Sequence, residues 1–234
     1  MNKDKLKELF KRYDIDLDDK KLSMFEIFYN DLIETNKVMN LTAITEEYEV
    51  FVKHFLDSAI FEKLIAKNEN LIDVGTGAGF PSVPLKIVRD DLKITMLDSL
   101  NKRINFLNGV ISKLNLKNVV AVHDRCEDFA KKNFEKFDIA TSRAVAKIAT
   151  LSEYLLPLVK LHGKVLMLKS GDFEEELNEG KFAIETLGGK IISIKKYKIE
   201  NIDRAIIVIE KIKHTNPKYP RGKNLPKTKP LIKD

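Results

Sequence analysis

Residues 73–80, Asp-Val-Gly-Thr-Gly-Ala-Gly-Phe, follow directly on a short apolar run of the β type. Glycines at 75, 77 and 79 let a backbone turn sharply and approach a ligand closely, because no Cβ stands in the way. A nucleotide cofactor lying over the loop is the chemical reading, and a tight structural turn is the plain one. Asp98 stands 25 residues after Asp73, at the end of the next β-type run, where a carboxylate can accept hydrogen bonds from both ribose hydroxyls. A dinucleotide fingerprint would have its third glycine at position 80, which holds Phe80 instead. That departure favours S-adenosylmethionine over a nicotinamide dinucleotide.

The next chemically distinctive residues are 123–129, His-Asp-Arg-Cys-Glu-Asp-Phe, just past a third β-type run. Ligands of open α/β sheets lie outside the carboxyl ends of the strands, which makes Cys126 and Glu127 candidates for the adenine edge; Glu127 as a helix cap is the alternative. A fourth run ends in 141–146, Thr-Ser-Arg-Ala-Val-Ala. Arg143 therefore sits at the same edge, either positioning reactants or making a surface ion pair. His54 and Asp57, three residues apart, share a helical face and either line the substrate side or form an interior pair. Cys126 lacks the preceding proline of the cysteine nucleophiles used in pyrimidine C5 methylation. The Asp/Asn-Pro-Pro-aromatic signature of exocyclic-amine methylation is missing after the fourth run, where Ser142 and Arg143 stand.

The elements that must position these residues follow from periodicity. Seven β-type runs occur, at 71–74, 94–97, 119–123, 137–141, 165–168, 190–197 and 204–210, with helical patterns at 82–89, 101–114, 125–132, 144–159 and 172–186. This alternation predicts an α/β fold of βαβ units with a mostly parallel, doubly wound sheet. The last two runs have no helix between them and must lie antiparallel. A seven-stranded sheet with an antiparallel last strand is the Rossmann-like architecture of class I S-adenosylmethionine-dependent methyltransferases. Amphipathic patterns at 3–12 and 21–38, and a helix over 47–66, predict an N-terminal helical layer. The expected division is a helical layer at 1–68, a cofactor-binding core at 69–211 and a basic tail at 212–234.

The net charge of +6 is unevenly spread: residues 211–234 hold eight Lys or Arg and one Asp, +7, which leaves −1 on the other 210 residues. Four prolines, Pro217, Pro220, Pro226 and Pro230, fall in that segment and predict an extended chain. Such a tail suits nucleic-acid phosphates, with a merely solubilising tail as the alternative. The 44% apolar and 32% charged residues describe a folded globular chain. Its longest apolar run is five residues, 205–209, against roughly 20 for a membrane span, and no apolar stretch of the secretory type follows Met1. The lone Cys126 and four scattered histidines offer neither a disulfide framework nor zinc-type spacing. A cytoplasmic monomer with no metal and no membrane partner is expected.

Together, Asn-Leu-Thr-Ala-Ile (40–44), His-Phe-Leu-Asp-Ser (54–58), the glycine loop with Phe80 and Pro81, Leu-Asp-Ser-Leu-Asn-Lys-Arg (97–103), His-Asp-Arg-Cys-Glu (123–127), Ser-Arg-Ala-Val-Ala (142–146) and the tail carry a resemblance. Over residues 36–231 the chain resembles the bacterial 16S ribosomal RNA guanine-N7 methyltransferases called RsmG, or glucose-inhibited division protein B. The resemblance implies methyl transfer from S-adenosylmethionine to N7 of a guanosine in the decoding-region loop of 16S ribosomal RNA, with the small ribosomal subunit as partner. It implies cofactor contacts from Gly75, Phe80, Cys126, Glu127 and Arg143, beside Asp73, Gly77 and Asp98 of the loop and strand ends. Cys126 occupies a position that is usually alanine in the family, which implies a main-chain contact, and Asn224 replaces a family glycine. Guanine N7 carries a lone pair and no hydrogen, so no general base is required and Arg143 is expected to act by positioning. Arg221, Lys223, Lys227 and Lys229 are expected on phosphates and Tyr219 on a base, while Lys102 and Arg103 either extend that basic surface or form a solvated helix start. Loss of the chain after Lys213 is expected to abolish RNA methylation and spare cofactor binding.

Overall fold

The computed structural model describes residues 3–143 and 146–233. Met1, Asn2 and Asp234, at the ends of the expected helical layer and tail, and Ala144 and Val145, in the expected 144–159 helix, lie outside the described residues. All seven β-type runs are strands: β1 (Asn70–Val74), β2 (Lys93–Asp98), β3 (Val119–His123), β4 (Phe137–Arg143), β5 (Val159–Ser170), β6 (Gly189–Ile199) and β7 (Ile202–Lys211). They are ordered β3-β2-β1-β4-β5-β7-β6. The pairs β2–β3, β1–β4 and β4–β5 are parallel, while β7 runs antiparallel to both β5 and β6. The inserted antiparallel last strand is as the helix-free spacing of the final two runs requires. β5 starts six residues before its apolar run, because Lys160, His162 and Gly163 interrupt the pattern without ending the strand. No described helix is long and apolar enough to cross a membrane.

The chain folds as two compact units. The first, Met1–Glu69 with Thr76–His123, carries α1 (Lys3–Lys11) and α2 (Asp19–Met39). Asp18 starts α2 by accepting the Lys21 amide at 2.8 Å, and Asn40 stops it at a φ of 52°, residue types that suit those ends. The stretch expected as one helix to residue 66 is shorter and irregular: α3 (Glu47–Val50), a π-helical turn over Phe51–Leu56, then α4 (Asp57–Ala59). The wider turn accompanies an aromatic cluster in which Phe55 meets Phe25, Phe28 and Phe51 at centroid separations of 5.3, 5.1 and 4.9 Å. Each such pair contributes about 0.5–1.5 kcal/mol beyond area burial. The unit is completed by α5 (Ser82–Val88) and α6 (Asn101–Lys113), whose apolar faces are buried.

The second unit, Asn70–Gly75 with Asp124–Asp234, adds α7 (Cys126–Lys132), α8 (Ile148–Leu155), α9 (Glu174–Thr186) and a single turn, α10 (Leu225–Thr228). The extended tail expected from its prolines is corrected here. Thr215 donates its hydroxyl to the Leu187 carbonyl at 2.6 Å and its amide to Glu135 at 2.9 Å, and the buried Thr150 hydroxyl holds the Pro226 carbonyl at 2.9 Å. Pro226 lies in the first turn of α10, where a missing amide hydrogen leaves no bond unmade.

Candidate active site

In the first unit the glycine loop folds on its own hydrogen bonds and on the end of β2. Thr76 donates its amide to the Leu97 carbonyl at 3.2 Å, and its own carbonyl accepts the amides of Gly79 at 2.9 Å and Phe80 at 3.0 Å. Gly77, at φ 61°, donates its amide to Asp98 Oδ2 at 3.0 Å. Gly79 has a packing reason of its own: a Cβ there would stand 2.6 Å from Val83 Cγ2 and 2.9 Å from Leu107 Cδ2. Asp98, 3% exposed, also accepts the Leu100 amide at 2.9 Å and Arg103 Nη1 at 3.2 Å. A carboxylate offers about four acceptor positions, so one remains for a ligand hydroxyl rather than the two expected for both ribose hydroxyls. Arg103, about a third exposed at the start of α6, turns one guanidinium nitrogen onto Asp98. The buried Thr76 hydroxyl meets no hydrogen-bond partner among the described residues. A nearly filled carboxylate, an unengaged hydroxyl and a glycine-rich backbone suit the ribose of a nucleoside cofactor.

Phe80 is 6% exposed and its ring belongs to the aromatic cluster, 5.6 Å from Phe28 and stacked on His54 at 4.7 Å. Any cofactor contact from Phe80 therefore falls to its main chain. His54 Nε2 lies 2.7 Å from Thr42 Oγ1, which also accepts the Ile44 amide at 3.0 Å. The Asn-Leu-Thr stretch thus ends one helix through Asn40 and fixes an imidazole through Thr42. Asp57 is buried, as is Ser58, whose hydroxyl meets no hydrogen-bond partner among the described residues.

In the second unit Asp73 is fully buried and pairs in register with Thr141 of β4. Ser142 donates its hydroxyl to the Val74 carbonyl at 2.8 Å, and half-buried Arg143 closes the strand. Gly75 leaves β1 at φ 73°. Glu127 is 6% exposed in the first turn of α7, a helix without a side-chain cap, so the capping alternative fails. Burial, with Glu127 and Asp124 nearby, pushes the Cys126 thiol well up, and the thiol donates to the Tyr154 carbonyl at 3.5 Å. That keeps it protonated and a poor nucleophile. The same surroundings raise the Tyr154 phenol to about 12, burial first and then Glu127.

The tail separates into two groups. Lys223, Lys227 and Lys229 are exposed. Tyr219 is 8% exposed with the Lys218 ammonium 5.1 Å from its ring centroid, and Arg221 bonds to the fully buried Glu153. Of these two, both expected to touch RNA, Tyr219 is buried, and Arg221 is half-buried because its guanidinium turns onto the buried carboxylate of α8. Sequence reasoning missed Glu153, Lys169 and Glu176. Lys169 donates to the Ala146 carbonyl at 3.1 Å and to Glu176 at 2.6 Å, while Glu176 accepts the Ile148 amide, which fixes the residues leading into α8. Nothing local distinguishes these charges from surface ones.

The family model described as rRNA small subunit methyltransferase G matches residues 21–207. A protein of Desulforamulus reducens named ribosomal RNA small subunit methyltransferase G is 48% identical over 97% of both chains. A namesake from Lachnoclostridium phytofermentans is 50% identical over 94% of this chain and 93% of its own. Among solved structures, P. horikoshii TYW2 in complex with MeSAdo has a TM-score of 0.56 at 14% identity, covering 67% of this chain and 62% of its own. A Methanococcus jannaschii fibrillarin pre-rRNA processing protein has 0.52 at 16% identity, covering 67% and 74%. At such identities the structures speak for the fold alone, that of the class I methyltransferases. With a family model covering most of the chain and near-full-length relatives at about half identity, the chain belongs to the rRNA small subunit methyltransferase G family.

Proposed function

We propose that this protein transfers a methyl group from S-adenosylmethionine to N7 of a guanosine in the decoding-region loop of 16S ribosomal RNA, acting as a cytoplasmic monomer on the small ribosomal subunit. The observation that carries the reading is the glycine loop locked to Asp98, with one acceptor position left on the carboxylate and the Thr76 hydroxyl unengaged. Asp98 and Thr76 would hold the ribose, with Asp73, Gly75, Gly77 and the Phe80 main chain shaping the loop. The Cys126 main chain and Glu127 would hold the adenine. When bound, the cofactor supplies a methyl group activated on a sulfonium. The chain has no proton to remove, because guanine N7 is already a lone pair, and a protonated Cys126 offers no competing nucleophile. Its contribution is orientation, which supplies roughly 7–11 kcal/mol in favourable cases, with Arg143 as the positioning cation. N7 is hidden in the major groove of A-form helices, so a looped or single-stranded target is the one reached. The helical layer, cofactor core and basic tail remain the functional division we propose.

The test is transfer of labelled methyl from S-adenosylmethionine to small-subunit particles and to naked 16S RNA, followed by nucleoside analysis. 7-Methylguanosine is expected. Label in another nucleoside would overturn the acceptor atom, and cofactor binding without RNA labelling would overturn the substrate.

A further inference from the structure

Residues 221–229 form a loop closed around one guanidinium. Arg221 donates its main-chain amide and Nε to Glu153 Oε1 at 2.8 and 2.9 Å and Nη2 to Oε2 at 2.7 Å. Nη2 also reaches the Lys229 carbonyl at 2.7 Å, eight residues further on. The Thr150 hydroxyl, on the same helix as Glu153, ties the middle of the loop through the Pro226 carbonyl at 2.9 Å. The start, middle and end of the loop are thus fixed to each other or to α8. A carboxylate with no solvent exposure is costly to bury unless paired, so ion pair and loop shape form together. Lys223 and Asn224 both adopt the left-handed conformation, at φ 57° and 59°, a state uncommon for lysine that persists where the surroundings over-determine it.

The loop shows solvent a different chemistry from the one it buries. Lys223, Lys227 and Lys229 are all exposed. Lys131 of α7 comes alongside, its Nζ 3.9 Å from where a Cβ on Gly222 would stand. Of the acidic groups nearby, Asp128 is paired with Lys131 at 3.2 Å and Glu153 with Arg221 at 2.7 Å.

We infer that Glu153 is a positioning residue for RNA: through Arg221 it holds the 221–229 loop in one shape that presents Lys223, Lys227 and Lys229 to the phosphates of the target strand. The inference rests on the RNA-methylating function proposed above. A loop already ordered has no ordering cost left when RNA arrives, whereas a free tail would have to be ordered at that moment.

The experiment uses the full-length protein with small-subunit ribosomal RNA, reading methyl transfer and RNA binding over a series of salt concentrations. Arg221→Ala alone strands a buried charge and endangers the fold. The working variant is therefore the double Glu153→Leu/Arg221→Leu, since buried ion pairs tolerate replacement by apolar side chains. Cofactor affinity and melting temperature should stay near the parent's, kcat at saturating RNA should change less than about twofold, and KM for RNA should rise about tenfold or more. The salt dependence should keep its slope, because the lysines remain. Lys223→Ala/Lys227→Ala/Lys229→Ala should instead lower that slope by about 2, at about 0.7 per single-strand phosphate contact. An unchanged KM in the double variant overturns the anchoring role, and so does a loss of cofactor binding equal to the loss of RNA binding. Unchanged slope and KM in the triple variant overturn RNA as the loop's partner. Absence of methyl transfer by the parent protein strikes the proposed function instead.

Discussion

Two carboxylate–arginine pairs, one in each unit, use the same chemistry to opposite ends. Asp98 shares its oxygens among a loop amide, the Leu100 amide and a third-exposed Arg103, and keeps one acceptor position open. Glu153 gives three hydrogen bonds' worth of acceptance to a single residue, Arg221, and is sealed from solvent. The first carboxylate organises a backbone and remains able to bind. The second has become architecture. Charge alone does not separate them; the number of donors, their origin and the exposure of the cation do.

Removing the architectural cation should have the largest effect. Arg221→Ala leaves Glu153 buried and unpaired, and a loss of about 3–5 kcal/mol is expected from equilibrium urea unfolding. For the same reason truncation after Lys213 is expected to cost stability as well as RNA methylation, which revises the expectation that cofactor binding survives it unharmed. Asp98→Asn should act mainly on the ligand, lowering cofactor affinity by about 1.5–3 kcal/mol in calorimetry; a stability loss as great as that of Arg221→Ala, with affinity intact, would collapse the contrast between the pairs. Gly79→Ala should destabilise by about 1–3 kcal/mol through overpacking against Val83 and Leu107, read as a lower melting temperature.

The smallest effect belongs to Cys126. With its thiol raised by burial and by Glu127 and Asp124, the folded chain holds that proton after the unfolded chain has released it. Stability should therefore fall slightly as pH rises through the usual thiol range near about 8.5, and Cys126→Ala should flatten the fall. Cofactor affinity should not change in that variant, since the proposed contact is main-chain. Alkylation of the folded protein at mildly alkaline pH should be slow beside that of the denatured chain.

The strands were legible because each carries its own apolar run, and β7 could be read as antiparallel because no helix precedes it. The start of β5 was not, since Lys160 and His162 hide a strand inside a charged stretch. Asp98 and the glycine loop were legible because strand, turn and carboxylate follow one another at a readable distance. The role of Arg221 was hidden for the opposite reason: its partner lies 68 residues away on a helix, and nothing in a Lys- and Pro-rich segment tells a guanidinium paired with a buried acid from exposed ammonium groups. The π-helical turn under His54 and the internal place of Tyr219 share this origin, being fixed by packing rather than by local pattern.

The same separation has a meaning in time. Between the addition of Glu153 and that of Arg221 a ribosome makes 68 peptide bonds, roughly 3–14 s of synthesis at 5–20 residues per second. During that interval the helix that carries Glu153 lacks its counter-charge, so the ion pair can close only once Arg221 has been added. A chain ended between these two positions would leave Glu153 without its counter-charge.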